Sequence, residues 1–348
     1  MAALVSDSSE GRLNFIDNLR VWAIVLVVLQ HIAVIYNTLY LFMIINSAYF
    51  MGLLFLLSGY FTPGSLERKR PKDFLKDRLI RLGIPTLAYV LILNPIASWG
   101  IQLTQKGSAT GYNFALGPMW FAVMLLVFDV GYLIWRQKTR REQKDPPGDT
   151  LSKLPFLAIL LFMLALAAVT WLLRIVVPYG IARFGFPSLG YLPQYLSFFI
   201  IGIIAAQRGW LRLVSGSLGW VGLSLAVVAT IIFLPTALSS SGGAFIGFGS
   251  WQSATFALWD SIFSVGVSLA LIVLFRRFFN KGSKFGRFLS EHSFAVYIIH
   301  VPVVAYVALA VSPLQTLPQL KCLIAAAIGL PLCFGVSWLI RRIRFVRN

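Results

Sequence analysis

Ten long apolar stretches constrain the fold of this chain more than any other feature of its sequence. A transmembrane helix needs about 20 consecutive, mostly apolar residues. Stretches of that kind cover residues 20–37, 39–61, 82–103, 119–135, 155–177, 191–207, 218–238, 253–275, 293–312 and 319–340. Only 12% of the 348 residues are charged, against about 25% in soluble domains. The sequence therefore predicts an all-α, polytopic integral membrane helical bundle. It excludes a disordered chain, a disulfide scaffold and a secreted soluble enzyme.

The number of spans depends on the boundary between the first two stretches. The chain is almost continuously apolar over residues 21–61, and Asn37 and Thr38 form its one turn-like break. A single kinked span here would reverse the sidedness of every later span. The loops at 136–153 and 239–252 are too short to form domains, so residues 1–348 are predicted to form one membrane domain. Because the polar N-terminus lacks the pattern of a signal peptide, we expect the first span to remain as an anchor.

The basic residues are segregated along the chain. If the N-terminus is cytoplasmic and there are ten spans, 26 of the 30 Lys and Arg residues belong to cytoplasmic segments. This segregation follows the positive-inside rule and predicts that both termini are cytoplasmic, as tails 1–16 and 341–348. The net charge of +18 lies in short loops between spans, which argues against a nucleic-acid partner.

The two cysteines predict neither a disulfide nor a metal site. Cys322 and Cys333 are eleven residues apart in one apolar stretch, a separation of about 16 Å along a helix. That distance is too long for a disulfide. The sequence contains no CxxC motif and no Cys/His cluster, so a zinc site is not expected.

The first span combines three ionisable residues on one helical stripe. Asp17, Arg20 and His31 are spaced by three and eleven residues, which brings all three to one face of a helix. His31 then lies about 16 Å deeper than Arg20, near the middle of a bilayer core of about 30 Å. Imidazole suits proton transfer near neutral pH, and guanidinium suits a phosphate-bearing substrate. The same spacing also fits an Arg20 membrane anchor paired with Asp17 and a His31 that packs within the bundle.

Further ionisable residues lie at membrane depth, where each indicates a functional site by default. Asp129 or Asp260 is expected to pair with Arg174 across the bundle, and the sequence leaves the choice open. On the inner side, Arg78 and Arg81 belong to a basic loop and are three residues apart, which predicts that they share one helical face. They suit phosphate binding, although positive-inside topology also explains them.

Six segments resemble, in order, the motifs of the acyltransferase 3 family of membrane acyltransferases. Asp17, Leu19, Arg20 and His31 match the family's D-x-L-R and Arg-x10-His pattern in the first helix. The other segments are FLLSGYFTPGS (55–65), FLKDRLIRLGIP (74–85), GPMWF (117–121), YLSFFIIGIIAAQRGW (195–210) and SEHSFAVYIIHVPV (290–303). Together they cover about residues 15 to 340, nearly the whole chain.

The resemblance implies a membrane-bound enzyme of the cell (inner) membrane that uses cytoplasmic acyl-CoA, with acetyl the commonest acyl group. The acceptor would be a hydroxyl, usually of a carbohydrate, at the outer side. Acyl-CoA is a co-substrate, and no bound cofactor is expected. Membrane lipid is the expected environment, while the acceptor's identity and the oligomeric state stay open.

The resemblance also implies roles for individual residues. His31 would act as base or relay, with Arg20 gripping the donor and Asp17 orienting Arg20. Donor contacts would come from Arg78, Arg81, Ser58 and Gly59, although small residues such as Ser58 and Gly59 equally suit helix packing. A second wall of the site, or acceptor contacts, would come from Trp120, Ser293, Tyr297 and His300. Trp120 also fits an aromatic belt at the membrane interface, and His300 also fits a hydrogen-bonded bundle histidine.

Two other functions are compatible with the same pattern. Ten spans with buried Asp, Arg and His also suit a proton-coupled secondary transporter, although no paired Gly/Pro-broken spans occupy corresponding places in two halves. A non-catalytic exporter of an acylated polymer is the third interpretation.

Overall fold

The computed structural model describes residues 13–112, 114–139, 156–239 and 243–342. Within these ranges the regular structure is helical, apart from one isolated β-bridge between Arg183 and Phe186. The α-helices are α1 Asn14–Ile35, α2 Tyr40–Ser47, α3 Phe50–Glu67, α4 Pro71–Arg78, α5 Ile84–Ala88, α6 Asn94–Lys106, α7 Trp120–Thr139, α8 Phe156–Val176, α9 Leu192–Arg208, α10 Trp210–Leu213, α11 Gly216–Leu238, α12 Trp251–Phe278, α13 Lys284–Val311 and α14 Pro318–Arg342. Most of the predicted loop 136–153 and parts of both predicted tails lie outside the described residues.

Ten helices or helix runs in the described ranges are long and apolar enough to cross a membrane, which confirms the predicted helical membrane bundle. The weakest predicted boundary is also confirmed, because α1 ends at Ile35 and α2 begins at Tyr40. The turn between them contains two residues in left-handed conformation, Asn37 with φ 49° and Leu39 with φ 58°. A helix cannot continue through such residues, so the chain reverses here.

The third span is longer than the predicted stretch at 82–103. It runs over Pro71–Lys106 and contains two π-helical segments, Leu79–Gly83 and Tyr89–Leu93, between α4, α5 and α6. Its first two turns are polar and charged, which is why hydropathy placed the start too late. Single π-turns inside α-helices are rare overall, but those that occur are often found at functional sites.

Serine hydroxyls fix the starts of three later helices. Ser215, Ser250 and Ser283 precede α11, α12 and α13, and each accepts a hydrogen bond from a backbone N–H three residues ahead, at 3.1, 3.0 and 2.9 Å. A hydroxyl at this position satisfies one of the N–H groups that a helix start leaves unpaired.

Helices α3 and α9 approach each other through glycines. A Cβ on Gly59 would lie 2.2 Å from the carbonyl oxygen of Phe199, and one on Gly202 would lie 2.1 Å from that of Leu56. Small residues at helix contacts allow such close backbone packing in membranes. Together α2 and α3 form a mostly buried second span, and α13 is equally buried, whereas the third, fifth, seventh and tenth spans expose most of their length.

Candidate active site

Helices α1 and α13 lie side by side, run parallel and keep one register along their length. Three contacts join them, at Arg20 with Ser290, His31 with His300, and Tyr36 with Ala308. The sequence separations are 270, 269 and 272 residues, and a nearly constant separation requires parallel helices. The eleven-residue step on α1 therefore matches a ten-residue step on α13.

The lower contact lies at the end of the bundle where α1 and α13 begin. The Arg20 guanidinium donates to Asp17 Oδ1 at 2.8 Å and to Ser290 Oγ at 3.1 Å. Its side chain remains 36% exposed, so a ligand can reach it. Asp17 and Ser290 thus hold the Arg20 guanidinium from two helices, α1 and α13.

The central contact is a pair of histidines. His300 Nε2 lies 3.3 Å from His31 Nδ1, and the two rings meet edge to face with centroids 4.7 Å apart. His300 is completely buried, with 0% exposure, while His31 is partly exposed. The structure thus brings together two residues that the sequence placed only on separate spans.

Backbone carbonyls set the tautomer of both rings. His31 Nδ1 lies 2.8 Å from the carbonyl oxygen of Val27, and His300 Nδ1 lies 2.7 Å from that of Tyr297. A carbonyl only accepts hydrogen bonds, so each Nδ1 holds the proton in the neutral ring. In this tautomer His31 has one N–H, and the Val27 carbonyl at 2.8 Å and the His300 Nε2 lone pair at 3.3 Å share it. The Nε2 lone pair of His31 is then left for a substrate proton.

The other predicted wall residues occupy different positions. The Tyr297 hydroxyl donates to the carbonyl of Pro118, and its ring centroid lies 6.1 Å from that of His300, so Tyr297 adjoins the pair. Ser293 is buried and donates to the carbonyl oxygen of Ser290 in its own helix.

Trp120 is a buried core residue, not an exposed platform or interfacial belt residue. It is 9% exposed and packs against the rings of Phe55 and Tyr195. Its neighbour Phe121 contacts the Tyr297 ring. The aromatic-belt interpretation is therefore wrong for Trp120, because its ring faces the bundle interior.

Arg78 and Arg81 do not share a face. Arg78 Nε lies 3.0 Å from Asp129 Oδ2 on α7 and the side chain is 17% exposed, whereas Arg81 is 69% exposed and pairs with Asp77 at 2.8 Å. The prediction of a common face was wrong because the π-turn Leu79–Gly83 widens the helix between them. Only Arg78 points into the bundle.

The two small residues predicted to contact the donor lie in the middle of α3. Gly59 faces the backbone of α9, so close helix packing accounts for its missing side chain. Thr62 Oγ1 lies 3.0 Å from the carbonyl oxygen of Ser58 and 2.9 Å from Asp129 Oδ1, and these two acceptors share its one hydroxyl proton. Thr62 thereby joins the Arg78–Asp129 contact.

The partner of Arg174, which the sequence left open, is Asp260. Arg174 Nη2 lies 2.6 Å from Asp260 Oδ2, and both side chains are buried. The rings of Tyr179, Tyr191 and Phe256 surround the guanidinium at 4.8–5.7 Å. Pairing and cation–π contacts are what a buried guanidinium requires, so this pair joins α8 to α12.

Sequence reasoning missed two polar groups around the site. Gln30 precedes His31 and bonds Asn46 and Ser47 of α2 at 3.0 Å each. Gln30 and Asn46 carry side-chain amides within apolar spans, and this feature of the sequence could have identified them. Within the described ranges, no group of three His, Cys, Asp or Glu side chains is arranged to hold a metal ion.

A cavity of about 550 Å³ opens at the end of α1 opposite Arg20. It is lined by Val34, Ile35, Tyr36, Asn37, Thr104, Gln105, Ser312, Pro318 and Lys321. Ile35 follows His31 by four residues on α1, so the cavity begins one helical turn beyond the histidine pair.

Comparisons with known proteins agree with this architecture. The family model for acyltransferase 3, described as an acyltransferase domain, matches residues 13–342. The chain is 25% identical to "Glucans biosynthesis protein C" of Salmonella schwarzengrund, over 94% of this chain and 91% of that protein. It is also 25% identical to the protein of that name from Salmonella typhi, over 86% and 84%. Because the family match covers nearly the whole chain, the protein belongs to the acyltransferase 3 family.

Proposed function

We propose that this protein transfers an acyl group from cytoplasmic acyl-CoA to a carbohydrate hydroxyl on the opposite side of the membrane. The proposed acyl group is acetyl. The observation that supports it most is the His31–His300 contact of 3.3 Å, held by the same helix pair that holds Arg20. A carbohydrate acceptor is supported by the relatives, whose name refers to glucans biosynthesis.

The histidine pair suits activation of a hydroxyl. The acceptor oxygen attacks the thioester carbonyl carbon, forming a new C–O bond, and its proton passes to His31 Nε2. The C–S bond then breaks, and the leaving thiolate takes the proton from His31 Nε2 to become free CoA, which restores the neutral imidazole. The Val27 carbonyl and His300 Nε2 both face His31 Nδ1–H, so together they orient the ring and stabilise the imidazolium that forms, the role that the carboxylate has in catalytic triads.

The donor is proposed to bind at the Arg20 end. Coenzyme A carries several phosphates, and guanidinium groups bind phosphate through paired, charge-assisted hydrogen bonds. Asp17 and Ser290 restrict the Arg20 side chain, which lowers the entropy lost on binding. Arg78, held by Asp129, supplies a second inward-facing cation.

The first test replaces His31 and, as a control, His292. His31→Ala is expected to abolish acyl transfer, measured as CoA thiol release in purified proteoliposomes, while expression and membrane insertion stay normal. His292→Ala is the matched control, because His292 also lies on α13, and its ring hydrogen-bonds the carbonyl of Phe288 in its own helix and not another histidine. Retained activity in His31→Ala would contradict the catalytic assignment.

The second test concerns the donor. Arg20→Ala is expected to raise the KM for acetyl-CoA about tenfold, because a charge-assisted hydrogen bond contributes about 1.5–3 kcal/mol. Arg208→Ala, at the same end of the bundle but on α9, should leave that KM unchanged. An unchanged KM in Arg20→Ala would remove Arg20 from donor binding.

A further inference from the structure

The cavity at the far end of α1 lies beyond the histidine pair on the same two helices, α1 and α13. Ile35 lies one turn beyond His31 on α1, and Ser312 lies about three turns beyond His300 on α13. Its volume of about 550 Å³ falls within the range of about 300–1,000 Å³ that is usual for ligand sites. A sugar residue in this cavity would approach His31 from the side opposite Arg20.

Hydrogen bonds between helices hold the cavity walls in place. Gln105 of α6 donates to the carbonyl oxygen of Ile35 at 3.0 Å, and Tyr36 donates to that of Ala308 at 3.1 Å. Lys321 of α14 donates to the carbonyl oxygen of Ser312 at 2.7 Å. Four helices are thus tied around the cavity before any ligand enters, which reduces the ordering cost of binding.

The residues that line the cavity carry positive charge and no negative charge. Lys321 is the single charged residue among the lining residues, and the remaining polar groups are amides and hydroxyls. In the predicted topology, Lys321 is one of four basic residues that lie outside the cytoplasmic segments, so the positive-inside rule does not account for it. Its ammonium has three donors, and the Ser312 carbonyl takes one of them, so a ligand anion can take another.

We propose that this cavity is the acceptor subsite and that it takes a hydroxyl-bearing sugar with an anionic group, which Lys321 binds. Gln105 then contacts the sugar hydroxyls, and one hydroxyl faces His31. This inference rests on the proposed function for the acyl transfer itself, but the anion-binding cavity is tested without turnover.

The binding test uses a cysteine as a reporter in the cavity. Thr104→Cys is prepared in lipid nanodiscs, and its reaction with N-ethylmaleimide is timed with phenyl β-D-glucuronide or with phenyl β-D-glucoside present. The two probes differ only in the carboxylate. Wild-type protein is the labelling control, since both native cysteines are buried.

The glucuronide is expected to slow the reaction of the cysteine in Thr104→Cys with N-ethylmaleimide. It should do so at a concentration at least tenfold lower than the concentration of the glucoside that gives the same protection. Adding Lys321→Met should raise the protecting concentration of glucuronide at least tenfold and change that of glucoside less than twofold. Lys106→Met is the matched control, because Lys106 is an exposed cation of the same bundle end that does not line the cavity. Equal protection by both probes, no protection, or an equal effect of Lys106→Met would overturn the proposal.

Acyl transfer to the two probes is measured separately as CoA thiol release. Selective protection without transfer would leave the anionic-sugar cavity standing and contradict the proposed function. Transfer without selective protection would support the function and overturn this inference.

Discussion

The two histidines have different surroundings, although each bonds a carbonyl of its own helix. His300 is sealed in the bundle, whereas His31 is partly exposed, so only His31 is placed to meet a substrate. The depth of His31 follows from its spacing to Arg20 on an α-helix. The contact of His31 with His300 could not be predicted in this way, because a single sequence gives helical periodicity but does not say which helices pack together.

Replacing His300 tests the pairing. His300→Ala is expected to lower kcat about a hundredfold, within the usual range for acid–base contributions, and to leave the KM for acetyl-CoA nearly unchanged. His300→Asn, whose side-chain oxygen also accepts a hydrogen bond, should recover part of the loss. Equal activities for the Ala and Asn variants would show that His300 acts only by filling space.

Asp129 shows the same limit of sequence reasoning at another residue. Its depth in an apolar span predicted a buried ion pair, and it has one, but with Arg78 at 3.0 Å. Arg174 instead pairs with Asp260. Burial cost predicts that a charge will be paired, whereas the partner depends on helix neighbours.

Two structural elements differ in how readily the sequence predicts them. The long helices follow from apolar length, and the α1–α2 turn was placed correctly at Asn37. The π-turns of the third span did not follow, because their apolar residues suit an α-helix equally well. The π-turn at Leu79–Gly83 is what separates Arg78 from Arg81.

The contact between α3 and α9 predicts that alanine substitutions at two glycines of α3 change the stability of the protein in opposite directions. Gly59→Ala is expected to destabilise the protein by about 1–3 kcal/mol through overpacking, because its Cβ would meet the Phe199 carbonyl. Gly64→Ala, with open space at its Cβ, should stabilise by about 0.5–1 kcal/mol. Apparent Tm in detergent measures both. A higher Tm for Gly59→Ala would contradict the close approach.

Across the whole molecule, the charge pattern separates two ends with different chemistry. Arg20 and Asp17 lie at one end, and the cavity with Lys321 lies at the other. Ten candidate spans are confirmed within the described residues, and the direction in which the bundle crosses the membrane stays a prediction of the basic residues.

Reporter fusions test that direction. A green fluorescent protein after residue 348 is expected to fluoresce, and alkaline phosphatase after Gly107, in the loop beyond α6, is expected to be active outside the cytoplasm. The reverse pattern would place the Arg20 end outside, where acyl-CoA is absent, and would contradict the proposed donor side.

The parallel register of α1 and α13 has a consequence for how this protein tolerates change. Each inserted residue turns the rest of a helix by about 100° and lengthens it by about 1.5 Å. One extra residue between Arg20 and His31 would therefore swing the imidazole away from His300 while leaving the guanidinium beside Ser290. Substitutions on the lipid-facing side of this segment should therefore be tolerated, whereas an insertion or deletion in it should break the contact between the two histidines.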